Sequence, residues 1–273
     1  MERRAGAGIF RCGACLALVV GALAAPARAA EPVDLELVIA TDVSRSIDHQ
    51  EALLQREGVA AAFRNQAVIR AIGSGILGRI GVAYIDYSSR AYNRIVVDWT
   101  IVHDRKSAEA FAARLLAAPL TFGRRTSISD AIEMAQEMIE TNALEGTRRA
   151  IDVSGDGPNN HGRLVSAVRD AAIARRIAIN GLPIVNDRGG FGRRFYLPDL
   201  DKYYLGCVIG GPGAFLVVAN SFEDFALAIR RKLILEIAGA PAPRLIRVSS
   251  PTGYVYPRGC DIGERMWNYW NDP

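Results

Sequence analysis

The run Leu35-Glu36-Leu37-Val38-Ile39-Ala40 is almost wholly apolar and shows no polar alternation, so a strand formed from it has to be covered on both faces. A sheet held between two layers provides such a place, which points to a parallel-type interior rather than a sheet with one wet face. Polar residues end the run. Asp48, followed three positions later by Glu51, then forms the opening of a capping box, and Leu53, Leu54, Val59, Ala62 and Phe63 recur near helical spacing. The first unit reads as strand, loop, helix.

Residues 79–87 and 94–102 are rich in Val, Ile and Tyr and are separated by Ser88-Ser89-Arg90-Ala91-Tyr92-Asn93, which predicts two adjacent strands joined by a hairpin. Helices are expected near 107–117, 129–140, 163–176 and 222–237, and strands near 150–153, 177–185 and 215–219. Alternation on this scale predicts an α/β fold: a doubly wound, mostly parallel central sheet with helices on both faces. Residues 186–213, rich in Gly, Arg, Tyr and Asp, are too long for an ordinary connection and read as a lid or an insertion. From Ala240-Pro241-Ala242-Pro243 onward, residues 240–273 read as a linker and an irregular C-terminal tail carrying Cys260, Trp267 and Trp270. The two tryptophans are expected to pack on the body, with partner binding as the alternative.

The apolar surplus sits at the start. Arg3, Arg4 and Arg11 precede a run of Ala, Leu, Val and Gly that closes in Pro26-Ala27-Arg28-Ala29-Ala30, the pattern of a secretory signal peptide over residues 1–30 with cleavage near Ala29 or Ala30. The run is too short to span a bilayer, so the mature chain is expected to carry no membrane span and to be secreted or periplasmic. The leader holds four arginines and one glutamate, a net +3, so the formal charge falls from +4 to +1 on cleavage and gives no reason to expect a nucleic-acid partner. Cys12 and Cys15 leave with it. Cys207 and Cys260 remain, and in an oxidising compartment a disulfide between them is expected over two separate thiols. With 50% hydrophobic and 23% charged residues, residues 31–239 are expected to form one globular domain.

The chemistry concentrates just past the strand ends. Asp42-Val43-Ser44-Arg45-Ser46 places a carboxylate and two hydroxyls at alternate positions beyond the first strand, where ligands bind in open α/β sheets. Hard divalent cations take oxygen ligands, so one Asp and two Ser oxygens make a partial shell. Thr126, before the helix expected near 129, and Asp156, at the end of Ile151-Asp152-Val153-Ser154-Gly155-Asp156, can complete it.

These three motifs, in this order, resemble the metal-ion-dependent adhesion site of von Willebrand factor type A domains over residues 33–239. The stretches Val153-Ser154-Gly155-Asp156-Gly157-Pro158-Asn159-Asn160, Asn180-Gly181-Leu182-Pro183-Ile184 and Gly210-Gly211-Pro212-Gly213-Ala214-Phe215 are similar to a bacterial family of exported A-domain-like proteins classed as a domain of unknown function. The resemblance implies a Mg²⁺ (or Mn²⁺ or Ca²⁺) held by Asp42, Ser44, Ser46, Thr126 and Asp156 and completed by an acidic residue of a protein partner. Arg45 stands where that first motif usually has Gly, and Arg124 and Arg125 where the Thr loop usually has small residues. The three arginines read either as a cationic rim that attracts the partner or as solvated loop residues.

The function expected is therefore a non-enzymatic, metal-dependent binding module. The alternatives are a scaffold with a degenerate, metal-free site and a hydrolase. No G-x-S-x-G elbow, Walker loop or Asp-x-Asp pair supports the last, and His49, His103 and His161 show no pairing motif. Asp48 and Asp152 are read as capping and strand-end residues. Asn159 and Asn160 are read as supports of the metal loop or as caps of the next helix.

Overall fold

The apolar run becomes the centre of the sheet. The computed structural model describes residues 30–185, 196–239 and 254–271. Strand β2 (Leu35–Asp42) is buried at every position and is bordered on both sides by parallel neighbours, β3 (Ile80–Tyr87) and β6 (Arg149–Gly155). Beyond β3 lies β4 (Arg94–Val102), antiparallel as the hairpin expectation required, and beyond β6 lies β7 (Ala178–Pro183), giving the order β4-β3-β2-β6-β7. Outside this sheet β1 (Glu31–Val33) pairs in parallel with β5 (Leu144–Gly146). The one charge inside the apolar run, Glu36, is satisfied by that addition. It accepts hydrogen bonds from the Gly146 amide and the Asn142 side chain, both at 2.7 Å.

Alternate residues of the strands feed two cores. Leu35, Leu37, Ile39, Val82 and Tyr84 pack with α1 (His49–Arg64), α2 (Gln66–Gly73), α3 (Arg105–Ala117) and α7 (Phe225–Ala238). Within that layer Phe63 and Phe111 meet at 4.6 Å between ring centroids, each fully buried and each contributing about 2–3 kcal/mol by area removed from water. Val38, Ala40, Ile85, Ile151, Val153 and Ile179 pack on the opposite face with α4 (Ile128–Thr141) and α5 (Val165–Ala174). The fold is a doubly wound α/β sheet with helices on both faces. The capping box read at Asp48 and Glu51 is present in both directions: the Glu51 amide donates to Asp48 at 2.8 Å and the Asp48 amide to Glu51 at 2.9 Å.

Three of the expected segments take a different form. Residues 215–219 form only isolated bridges, Leu216 to Gly181 and Ala219 to Ile184, and so extend the sheet without a ladder. Part of the expected insertion is helical. A short α6 (Leu200–Tyr203) runs into a π-turn over Tyr204–Val208, whose Tyr204, Cys207 and Val208 are buried in the second core. The tail expected to be irregular contains α8 (Ile262–Asn271), seated through Ile262 and Met266. Cys207 and Cys260 are joined by a disulfide, which ties the start of α8 to the π-turn. The leader expected at 1–30 lies outside the described residues except for Ala30, as do 186–195 of the insertion and 240–253 of the linker.

Candidate metal centre

Strands β2 and β6 are neighbours in register, so their carboxyl ends deliver Asp42 and Asp156 to the same edge of the sheet. The loop after β2 turns back at once. The Ser44 amide donates to Asp42 Oδ1 at 2.8 Å, and the Val43 amide donates to the Tyr87 carbonyl at 2.9 Å. This turn brings the Ser44 and Ser46 hydroxyls to 3.1 Å of each other, and Ser46 donates to Asp156 Oδ1 at 2.7 Å. Thr126 arrives from the loop before α4 and donates its hydroxyl to Ser44 Oγ at 3.0 Å. The five oxygen-bearing side chains picked out in sequence thus form one connected set.

The Thr126 loop is held in place by residues that follow Asp156. The Asn160 side-chain oxygen accepts from the Thr126 amide at 2.9 Å, the Asn160 amide donates to the Thr126 carbonyl at 2.8 Å, and the Asn159 side-chain oxygen accepts from the Ser129 amide at 3.0 Å. Both asparagines therefore support the site and do not cap α5, whose N-cap is Leu164. Ser127 takes the cap of α4, accepting from the Asp130 amide at 3.2 Å. Gly155 is required by close approach. A Cβ there would stand 2.6 Å from the Tyr87 hydroxyl and 3.0 Å from Asp42 Oδ2.

The electrostatics of the set are unfavourable as it stands. Burial pushes the Asp42 carboxyl well above the usual range and the Asp156 charge pushes further, against the lowering effect of the Ser44 amide and hydroxyl. Asp156 is pushed up to about 6, by burial first, with the Ser46 hydrogen bond opposing it and the Glu51 charge adding to it. Asp42 Oδ2 is buried with no hydrogen-bond partner. An orphaned carboxylate oxygen beside a second acid and three hydroxyls is a donor set for a hard cation, which would relieve both the unmet acceptor and the repulsion. The set has two carboxylates and is otherwise neutral; among the described residues no group of three or more His, Cys, Asp or Glu is placed to hold a metal.

The three arginines take different positions. Arg45 and Arg124 are exposed, whereas Arg125 is partly buried, lying 4.0 Å from the centre of the Trp267 ring and donating to the Asn160 carbonyl at 3.4 Å. Helix α8 makes further contacts beside it. Glu264 accepts from the Asn159 side chain at 2.7 Å, and a Cβ at Gly263 would stand 2.0 Å from the Asn159 carbonyl oxygen. Sequence reasoning did not connect this tail to the site. The spacing of Cys260, Gly263, Glu264 and Trp267 was the available signal.

Residues 32–241 match the family model described as protein of unknown function (DUF1194). The chain belongs to the DUF1194 family. No curated protein matches the sequence. Among solved structures, it is similar to proximal thread matrix protein 1 from the mussel byssus, with a TM-score of 0.55 at 14% identity, covering 78% of this chain and 49% of that one. It is also similar to the pilus adhesin SpaC of Lactobacillus rhamnosus GG, with a TM-score of 0.55 at 13% identity and coverage of 76% and 31%. A von Willebrand factor type A protein of Catenulispora acidiphila aligns with a TM-score of 0.50 at 12% identity, covering 77% and 44%. The chain spans half or less of the length of these structures. Together with the strand order, they identify the fold of this DUF1194 chain as that of von Willebrand factor type A domains. One of the mussel structures has zinc in its metal-ion-dependent adhesion site.

Proposed function

We propose that this chain is an exported, non-enzymatic binding module that holds a divalent cation through Asp42, Ser44, Ser46, Thr126 and Asp156 and uses it to capture an acidic residue of a protein partner. The observation that carries this reading is the buried, partnerless Asp42 Oδ2 within a connected group of five oxygen donors. When bound, the ion supplies a Lewis-acidic position for a carboxylate from outside the chain. Asp42 and Asp156 provide the negative charge that selects a cation, while Ser44, Ser46 and Thr126 provide neutral oxygens that leave charge on the ion for the partner. Asn159 and Asn160 fix the Thr126 loop, and the exposed Arg45 and Arg124 add positive potential that draws an anionic surface. Export is supported by the leader-like residues 1–30 and by the Cys207–Cys260 disulfide.

Calorimetry with Mg²⁺ and Mn²⁺ on the wild type and Asp42→Ala tests the site. Heat in the first and none in the second is expected, and identical traces would reject it. Capture from periplasm or culture supernatant, with Mg²⁺ and with EDTA, tests the partner, which should be retained only with metal. A metal-free scaffold is the second reading. It is favoured by the hydrogen bonds through which Ser46, Ser44 and Thr126 already satisfy one another and Asp156.

A further inference from the structure

On the face of the sheet opposite α4, a second group of ionisable side chains is closed off from solvent and has no part in the metal centre. Lys232 of α7 is 0% exposed, Asp152 of β6 is 1% exposed, and Glu236, one turn beyond Lys232, is 4% exposed. Lys232 Nζ lies 2.6 Å from Asp152 Oδ1 and 3.3 Å from Glu236 Oε2. Asn180, paired with Asp152 across β6 and β7, donates to Glu236 Oε1 at 2.6 Å and accepts from the Phe215 amide at 3.0 Å. The Phe215 ring sits 5.2 Å from Nζ. Despite the short separation, both Asp152 carboxyl oxygens are buried without a hydrogen bond. The amine is thus held in direct contact with a carboxyl group closed off from water.

We propose that Lys232 and Asp152 condense into an intramolecular isopeptide bond, with Glu236 carrying the proton. The condensation starts from the form of the pair in which the shared proton sits on the acid, a neutral amine against a neutral carboxyl, which an enclosed site favours over separated charges. Burial already pushes Asp152 up to about 7, with the Lys232 charge opposing and the Glu236 charge reinforcing it. Nζ attacks Asp152 Cγ and forms the N–C bond. Glu236, held by Asn180, accepts one proton from the attacking nitrogen and returns it to the departing hydroxyl, so that the C–O bond breaks and water leaves. One amide and one water are formed, Glu236 ends as it began, and no oxidant, reductant or co-reactant is consumed. Held contact raises the effective molarity of the reacting groups, to about 10⁵–10⁸ M where they are well oriented, and the product is a neutral amide in place of an ionisable pair that is costly to enclose.

Mass spectrometry of the reduced, trypsin-digested protein decides the matter. Peptides 150–163 and 232–244 are expected as a single linked species, lighter than their sum by one water and uncut after Lys232. Recovery of peptide 150–163 alone, with cleavage after Lys232, would overturn the proposal; this measurement on the wild type stands even if every variant misfolds. Glu236→Gln, with folding checked by circular dichroism, should yield the separate peptides, and a link that persists in it would overturn the role given to Glu236.

Discussion

Arg125, on the loop that presents Thr126, lies with its guanidinium 4.0 Å from the centre of the Trp267 ring of α8. Of the three arginines expected at the rim, this one is engaged by the chain's own C-terminal helix. Trp267→Ala should therefore loosen the Thr126 loop and cost about 1 kcal/mol, the scale of a partly desolvated cation–π contact. Thermal unfolding measures the loss. Arg124 is exposed and should behave differently: Arg124→Ala should tighten Mg²⁺ binding, more at low salt than at high salt, by removing a repelling charge. Affinities at two ionic strengths check this.

Metal should stabilise the fold by mass action. At a Mg²⁺ concentration a hundred times the Kd, the wild type should gain about 2.7 kcal/mol, seen as a rise in melting temperature that EDTA reverses. Asp42→Ala should show no rise at any concentration, and Ser46→Ala, which keeps both carboxylates, a reduced one.

Gly155→Ala should damage both stability and metal response, since the added methyl would press on the Tyr87 hydroxyl and on Asp42 Oδ2. Overpacking of a closed site costs about 1–3 kcal/mol. A variant with wild-type melting temperature and wild-type metal affinity would contradict the placement of these three residues.

Acid should stabilise the metal-free protein within a defined window. Burial pushes Asp86 up to about 6, with Arg56 opposing, so the folded state binds this proton more tightly than the unfolded chain does. Stability is then highest below the unfolded value near 4 and falls as pH rises toward 6, by up to about 3 kcal/mol from this group. Asp42 and Asp156 are raised as well and act in the same direction. Denaturant midpoints at pH 5 and pH 7.5 without metal should show the first higher, and Asp86→Asn should flatten the slope.

Replacing both Cys207 and Cys260 by Ser should destabilise the protein by about 4 kcal/mol on the chain-entropy model, given the separation of 53 residues. Reversible denaturation of the two forms measures it.

Much of this was legible because the signals are local. The apolar run of β2 reports its own two-sided burial, Asp48 and Glu51 report a helix start, and Asp42, Ser44, Ser46 and Asp156 of the candidate metal centre sit at or just past strand ends, where topology decides their neighbours, with Thr126 just before a helix. What escaped reading depends on distant packing. Helix α8 opens with Ile262-Gly263 and is rich in Trp, Tyr and Asn, which are weak helix formers; it is fixed by the disulfide and by contacts with Asn159 and Arg125. The spacing of Lys232 and Glu236, four apart on a helix, does not by itself tell a buried pair from an exposed one. Only the position of α7 over β6 and β7 makes them interior. The pairing of β1 with β5 involves three residues each, too short for any periodicity to register.

The disulfide also sets the path of mechanical load. Tension applied to the end of α8 reaches Cys260 and passes through sulfur to Cys207, inside the core beside β7. Helix α7 is bypassed. A pull on the C-terminal end would thus be borne by the sheet's covered edge while α7, with Lys232 and Glu236, stayed in place. For the same reason a protease cut between 240 and 253 would leave α8 attached until the bond is reduced.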